Sequence, residues 1–316
     1  MKNSVAQSFS YFHNSWNNRR SKLRYDIFKR ITKNALPLFL KGQDIITASP
    51  MVNGVHEPEL KALINYFAES GYSDFLIDIG ANIGLSSCQS GKKFRCVHMF
   101  EPNPNILSIL KINSKIMLRD VKYQIHEYGL AAEDAQVELY VPYDNWGGAF
   151  VKSIENSYDE NLLSSKDGYG KFNINNYEIL PVAVKSAHPA LSALFNELKN
   201  FGYQKGVIKI DIEGFEKYVI ESLLRALPSD FQVFIIFENW KNGLTISELN
   251  FPDNIKISAY NLSQNSTTFG FLPRFINSFV NFVRGGFQTT LKPTTSNIAI
   301  GTCILSIGQI DWRIQV

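Results

Sequence analysis

Asp78, Glu101, Asp211, Glu213, Glu238 and Asn239 each stand at or just beyond the end of a short apolar run, the place where an open α/β sheet presents groups to a ligand. Carboxylates so placed can hold a cation, accept from a diol or take up a proton. The first of them is the most informative. Phe75, Leu76, Ile77 and Ile79 make a run short enough for a strand covered on both faces, Asp78 interrupts it, and Gly80-Ala81-Asn82-Ile83-Gly84 follows. Gly80 and Gly84 permit a left-handed or closely approached backbone, and Leu85-Ser86-Ser87-Cys88 can open a helix whose free amides face a ligand. The turn is not the Gly-x-Gly-x-x-Gly of a dinucleotide site. An acid two residues before its first glycine repels a pyrophosphate and suits the cationic amino-acid end of S-adenosylmethionine.

Alternating strand and helix patterns position these groups. Pro58 opens a helix to about Glu69 that Gly71 ends; Glu57 at its start could reach the cofactor, but reads first as an acid complementing the helix dipole. Cys96–Phe100 reads as the second strand, and the spacing from Asp78 makes Glu101 the acid that accepts both ribose hydroxyls. A helix over Ile106–Leu118 and a third strand over Tyr123–Tyr128 follow. Val137–Val141 alternates like an edge strand, and Tyr177–Val184 reads as a further strand before a helix at Pro189–Asn200. Strands at Gly206–Ile210 and Val233–Phe237 flank a helix from Glu213 to about Leu227. Ile255–Leu262 and Asn297–Leu305 complete the sheet, the last antiparallel.

Three segments in order, Asp78-Ile79-Gly80-Ala81-Asn82-Ile83-Gly84, Phe100-Glu101-Pro102-Asn103-Pro104 and Ile208-Lys209-Ile210-Asp211-Ile212-Glu213-Gly214-Phe215-Glu216, resemble the FkbM-type branch of the class I S-adenosylmethionine-dependent methyltransferases. The resemblance spans about Gly54 to Cys303. It implies an α/β fold, a doubly wound, mostly parallel, seven-stranded Rossmann-like sheet with an antiparallel last strand, plus an N-terminal helical extension. Residues 1–44 would be that basic arm, and 45–316 the methyltransferase domain, with insertions at about 142–176 and 266–292. Cofactor contacts are expected from Asp78, Gly80, Asn82, Gly84, Glu101, Gly129, Leu130 and Asp211. The resemblance also supplies the substrate class, a sugar hydroxyl in a surface polysaccharide or its lipid-linked precursor; a small-molecule or secondary-metabolite hydroxyl is the alternative.

Methyl transfer to a hydroxyl needs in-line alignment and removal of a proton. Asp211, Glu213 or Glu238 would serve at the reacting end, with Asp211 or Glu213 as general base and His126 and His188 as weaker alternatives. A second arrangement, similar to catechol-type methyltransferases, has Asp211, Glu238 and Asn239 hold a Mg2+ that acidifies the acceptor. Asn145, Trp146 and His188 are candidate substrate contacts: Trp146, in a segment like the family's Asn-x-Gly-Gly, stacks on a sugar or lines the pocket, or simply packs. A binding module without turnover is the rival outside enzymes. No Asn/Asp-Pro-Pro-aromatic segment follows the fourth strand, which disfavours methylation of nucleic-acid bases.

The bulk properties agree with a globular cytoplasmic enzyme. Net charge is +3 over 316 residues, but residues through Lys41 hold nine bases against Asp26 alone, so that arm carries +8 and the rest −5. Between Tyr11 and Leu40 the bases alternate with Tyr11, Phe12, Trp16, Leu23, Tyr25, Phe28, Ile31 and Leu36. Such a helix either lies on an anionic leaflet, peripheral to the inner membrane, or packs on the domain or a partner subunit. Nucleic acid is not an expected partner; a homodimer is. Phe275, Phe279 and Phe282 fall on one helical face, suiting a lid or a dimer contact. Three dispersed cysteines suggest neither a disulfide framework nor a metal cluster.

Overall fold

The computed structural model describes residues 9–31, 50, 55–152, 156, 165, 169, 171–239, 248–252, 255–265, 276, 279–280, 283, 286–294 and 301–308. Five parallel strands form its centre: β2 (Phe75–Ile79), β3 (Cys96–Phe100), β4 (Lys122–His126), β9 (Lys205–Ile210) and β10 (Gln232–Asn239). Both β2 and β3 are buried at every position, as mainly apolar strands are when helices cover both faces, and Asp78 and His98 are buried with them.

Phe75, Ile77, Ile79, Ile208 and Ile210 point to the side packed by α5 (Ala187–Asn200) and α6 (Glu216–Ala226). Leu76, Val97, Met99, Val207 and Ile236 point to the other, under α2 (Pro58–Glu69) and α4 (Pro104–Met117). Phe67 of α2 stacks on Phe234 of β10 at 3.8 Å between ring centres. By the two-residue period of a strand, Asp78 and Lys209, register partners on β2 and β9, share the α2 side.

The sheet is mixed and larger than the seven strands expected. Beyond β10 come β13 (Gly301–Ile307), β11 (Ile257–Asn265), β12 (Gly286–Thr294) and β1 (Ser10–Asn14), each antiparallel to its neighbour, giving nine strands in the order β1-β12-β11-β13-β10-β9-β2-β3-β4. Thus β1, from the stretch read as a helical arm, is a sheet strand, and only then does α1 (Ser15–Ile31) begin. The end of the insertion expected at about 266–292 is strand, with Phe287 of β12 opposite His13; Phe275 and Phe282 lie outside the described residues, as do the stretches 32–49, 51–54 and most of 153–170.

A second sheet corrects two strand assignments. β5 (Gly129–Ala131), β8 (Tyr177–Ser186), β6 (Ala135–Pro142) and β7 (Phe150–Val151) form it, in that order. β6 is therefore interior, not an edge, and β8 leaves the main sheet. β8 alternates in burial along most of its length, the pattern of a strand with one face covered, whereas β6 alternates over its first four residues and is buried over its last four.

Candidate active site

The C-terminal ends of β2, β3, β9 and β10 and the inner wall of the second sheet enclose a cleft of about 490 Å3, within the usual range for a small-molecule site. Its floor starts at Gly80, φ +81, where a β-carbon would overlap the Asp211 carbonyl oxygen. The turns after β2 and β9 therefore touch backbone to backbone. Gly80 N–H and Ala81 N–H both donate to the Phe100 carbonyl at 3.0 Å, binding the glycine turn to the end of β3 as well.

Glu101 sits at that junction. Its Oε2 accepts from Asn82 N–H at 2.8 Å and its Oε1 from Asn103 N–H at 2.9 Å, so the carboxylate ties the β2 turn to the start of α4. Burial pushes its pKa up to about 7, against the pull of those two amides. Asn82, at φ 50, also donates from Nδ2 to the Trp146 carbonyl at 3.3 Å, which fastens the turn to the second-sheet wall.

A buried lysine organises the opposite end. Lys209 Nζ lies 2.8 Å from Asp211 Oδ2 and 3.7 Å from Asp78 Oδ1. Burial alone would lower its pKa, but Asp211, Asp78 and Glu57 together raise it, so it is a fixed cation. Asp78 is 1% exposed and accepts from Ser87 Oγ at 2.5 Å. It lies beneath the glycine turn and is not among the residues that line the cleft.

Glu57 was read as a helix-dipole acid, but its side chain makes no cap bond and it enters the cleft instead. Its backbone is left-handed, φ 41 and ψ 69, immediately before Pro58. Burial, with Asp211, Glu238 and Glu59 adding and Lys209 opposing, lifts its carboxyl to about 7. His56 beside it, Nε2 to Glu57 Oε2 3.6 Å, is pushed down to about 4 by burial and by Lys209, hence neutral.

Gly80, Asn82, Glu101, Gly129, Leu130, Asn145, Trp146, Asp211, Glu213 and Glu238 all line the cleft, as the sequence reading expects of site residues. Four others do not. Gly84 begins α3 (Leu85–Ser90) in a left-handed conformation, and a β-carbon there would press Leu110. His188 is exposed on α5. Asn239 is buried at the end of β10 away from the wall, and Asp78 is as described. Among the titratable residues of the cleft, His56 and Lys209 had no role in the sequence reading, and Glu57 was read there chiefly as a helix-start acid.

The metal arrangement gains no support from these groups. Asn239 is not among the lining residues that include Asp211 and Glu238, and among the described residues no three His, Cys, Asp or Glu side chains gather to hold an ion. Lys209 already supplies a cation against Asp211. A sulfonium cofactor fits better: carboxylates line one end, a diol acceptor stands at Glu101, and apolar Ile106 and Leu130 flank it.

The family model for the methyltransferase FkbM domain matches residues 78–255, running from Asp78 through the β9 and β10 strand ends. The chain belongs to the FkbM methyltransferase family. It is an S-adenosylmethionine-dependent methyltransferase. No curated protein matches it. Among solved structures, it is similar to an FkbM methyltransferase from Methylobacillus flagellatus, 15% identical, covering 70% of this chain and 50% of that one at TM-score 0.29. An O-methyltransferase from Bacillus cereus in complex with SAH is 9% identical, covering 91% and 99% at TM-score 0.37. A precorrin-6y C5,15-methyltransferase from Geobacter metallireducens is 10% identical, covering 81% and 94% at TM-score 0.33. In this FkbM methyltransferase the family match takes in every strand end that builds the cleft floor, while Glu57 lies ahead of it.

Proposed function

We propose that this FkbM methyltransferase methylates a hydroxyl of a sugar, in a surface polysaccharide or its lipid-linked precursor, with Glu57 as the proton acceptor. When bound, S-adenosylmethionine supplies an electrophilic methyl group on a sulfonium that leaves as a neutral thioether. Glu101 would hold the ribose hydroxyls, since each of its oxygens keeps a lone pair beyond the amide it already accepts. Gly129, Leu130 and Ile106 would flank the base. Asp211, fixed by Lys209, and Glu238 would face the amino-acid tail, with Asp78 acting from behind through Lys209.

The acceptor hydroxyl must lose its proton as its oxygen bonds to the methyl carbon. The observation that carries the reading is the place of Glu57, a carboxylate in the cleft wall with Asp211, Glu213 and Glu238; burial raises its pKa to about 7, the range in which a general base works best at neutral pH. Asp211 is committed to Lys209, and Glu101 to two amides. Glu213 and Glu238 line the same end and would shape the acceptor's approach. Asn145 and Trp146 on the facing wall offer an amide and an aromatic face, the two groups a sugar ring uses. Incubation of the purified protein with radiolabelled S-adenosylmethionine and glycan extracts tests this. Label in a sugar methyl ether supports the reading, whereas label confined to non-sugar hydroxyls or to protein refutes it. Calorimetric titration with S-adenosylmethionine separates failure of substrate choice from failure to bind the cofactor.

A further inference from the structure

The described side chains of the helix α1 bury almost nothing. Of its described side chains from Asn17 to Arg30, only Ser21 and Tyr25 are half-buried and the rest are exposed. At 100° per residue those two share one face, on the side that adjoins β1 and β12. Leu23 and Ile27 lie on the opposite face, 63% and 51% exposed, with Arg19, Arg20 and Arg30 alongside them and Lys22 and Arg24 at the margins. Phe12, on β1 just before the helix, is 55% exposed. The sequence of α1 holds six bases, Arg19, Arg20, Lys22, Arg24, Lys29 and Arg30, against Asp26, a net +5.

We infer that the outward face of α1, with Phe12, docks on an anionic lipid surface. Leu23 and Ile27 form an apolar ridge shallow enough to enter the acyl boundary, and the flanking arginines have stems that lie along it while their heads reach lipid phosphates. Two other occupants fit worse. A second copy would bring two helices of +5 together, and their repulsion opposes an isologous contact. A nucleic acid would satisfy the bases but leave the aliphatic ridge in water or against phosphates. Among the described residues no helix is long and apolar enough to cross a membrane, so the contact is at the surface. Juxtaposed bases add attraction to an anionic leaflet additively, and salt weakens it.

The inference stands apart from the choice of acceptor. Cosedimentation of the full chain with vesicles of phosphatidylglycerol and phosphatidylcholine tests it, with pure phosphatidylcholine alongside. Binding is expected only to the anionic vesicles, weakening with added salt. Two variants, Leu23→Ser with Ile27→Ser, and Arg19→Glu with Arg20→Glu, are each expected to lower partitioning at least about ten-fold, with calorimetric affinity for S-adenosylmethionine unchanged. Equal binding by either variant, or equal binding to neutral vesicles, overturns the inference. So does sedimentation velocity showing a lipid-free dimer that Leu23→Ser with Ile27→Ser dissociates, or tighter binding to a DNA duplex than to the vesicles.

Discussion

Glu57 and Lys209 carry the sharpest consequences. Glu57→Gln removes the proton acceptor and keeps the shape, so kcat is expected to fall by about 10²- to 10³-fold. Affinity for S-adenosylmethionine, read by calorimetry, should hold. The wild-type rate should rise with pH through about 7, the value to which Glu57 is lifted, and that limb should vanish in the variant. A base elsewhere would leave the limb in place. Lys209→Met strips the cation from between Asp78, 1% exposed, and Asp211. It is expected to destabilise by about 3–5 kcal/mol, as losing one partner of a buried ion pair does. Adding Asp78→Asn should recover much of that in denaturant unfolding.

Glu101 has a separate pH signature. Its folded pKa, about 7, lies above the ordinary 4.5, so its stabilising contribution is complete below about 4.5 and is lost as pH rises through 7, on the order of 3 kcal/mol. Neutral His56, His98 and His126, each pushed down to about 4, act oppositely, adding stability as pH climbs from about 4 to 6.5. Above about 6.5 only the carboxyl effect remains, and unfolding midpoints should decline toward pH 8, less so with saturating S-adenosylmethionine if the cofactor diol takes up the ionised Glu101. The carboxylates at strand ends were readable in sequence because an acid closing an apolar run has few other reasons to be there. Lys209 carried the same sort of signal, a charge inside a buried strand two residues before an acid, and went unassigned. Glu57 did not, since an acid at a helix start already has an explanation; its φ of 41 is visible only in three dimensions.

Between the elements, the join at Gly80 and the strap at Asn156 set the cleft's shape. Gly80→Ala would drive a β-carbon into the Asp211 carbonyl and strain a φ of +81, so the turns after β2 and β9 must part. Loss of S-adenosylmethionine binding is expected together with a lower melting temperature. Asn156 Nδ2 donates to the carbonyls of Val151 and Glu213, each at 3.0 Å, and so fastens the end of β7 to the loop after β9. Asn156→Ala is expected to raise KM for the acceptor while leaving cofactor affinity near wild type; a parallel loss of both would place the strap at the cofactor end instead. The helices α2, α4, α5 and α6 follow from their apolar spacing, with Asn103 capping α4, and the sequence places them within a few residues. The second sheet did not announce itself. A strand of alternating burial fits either an exposed edge or a sheet with one covered face, and only the pairing of β6 on both sides decides between them.

Across the molecule, β1 closes the sheet. Five register pairs join Ser10–Asn14 to β12, and His13 Nε2 meets Thr289 Oγ1 at 2.7 Å. Its sequence gave no strand signal beyond its aromatics, because an edge strand needs only five residues and its partner lay in a stretch read as helical. Removal of residues 1–31 would leave β12 with an unpaired edge. The truncated protein is expected to unfold at a lower temperature and to aggregate in light scattering, while a variant carrying only the α1 surface substitutions stays monodisperse.

That pairing spans 276 residues between His13 and Thr289. On a ribosome this strand emerges and then waits through that whole separation before its mate exists. Every residue lining the cleft, from His56 to Glu238, is made within that interval, so the pocket's own strands are present before the edge that ties the basic helix to the sheet can form.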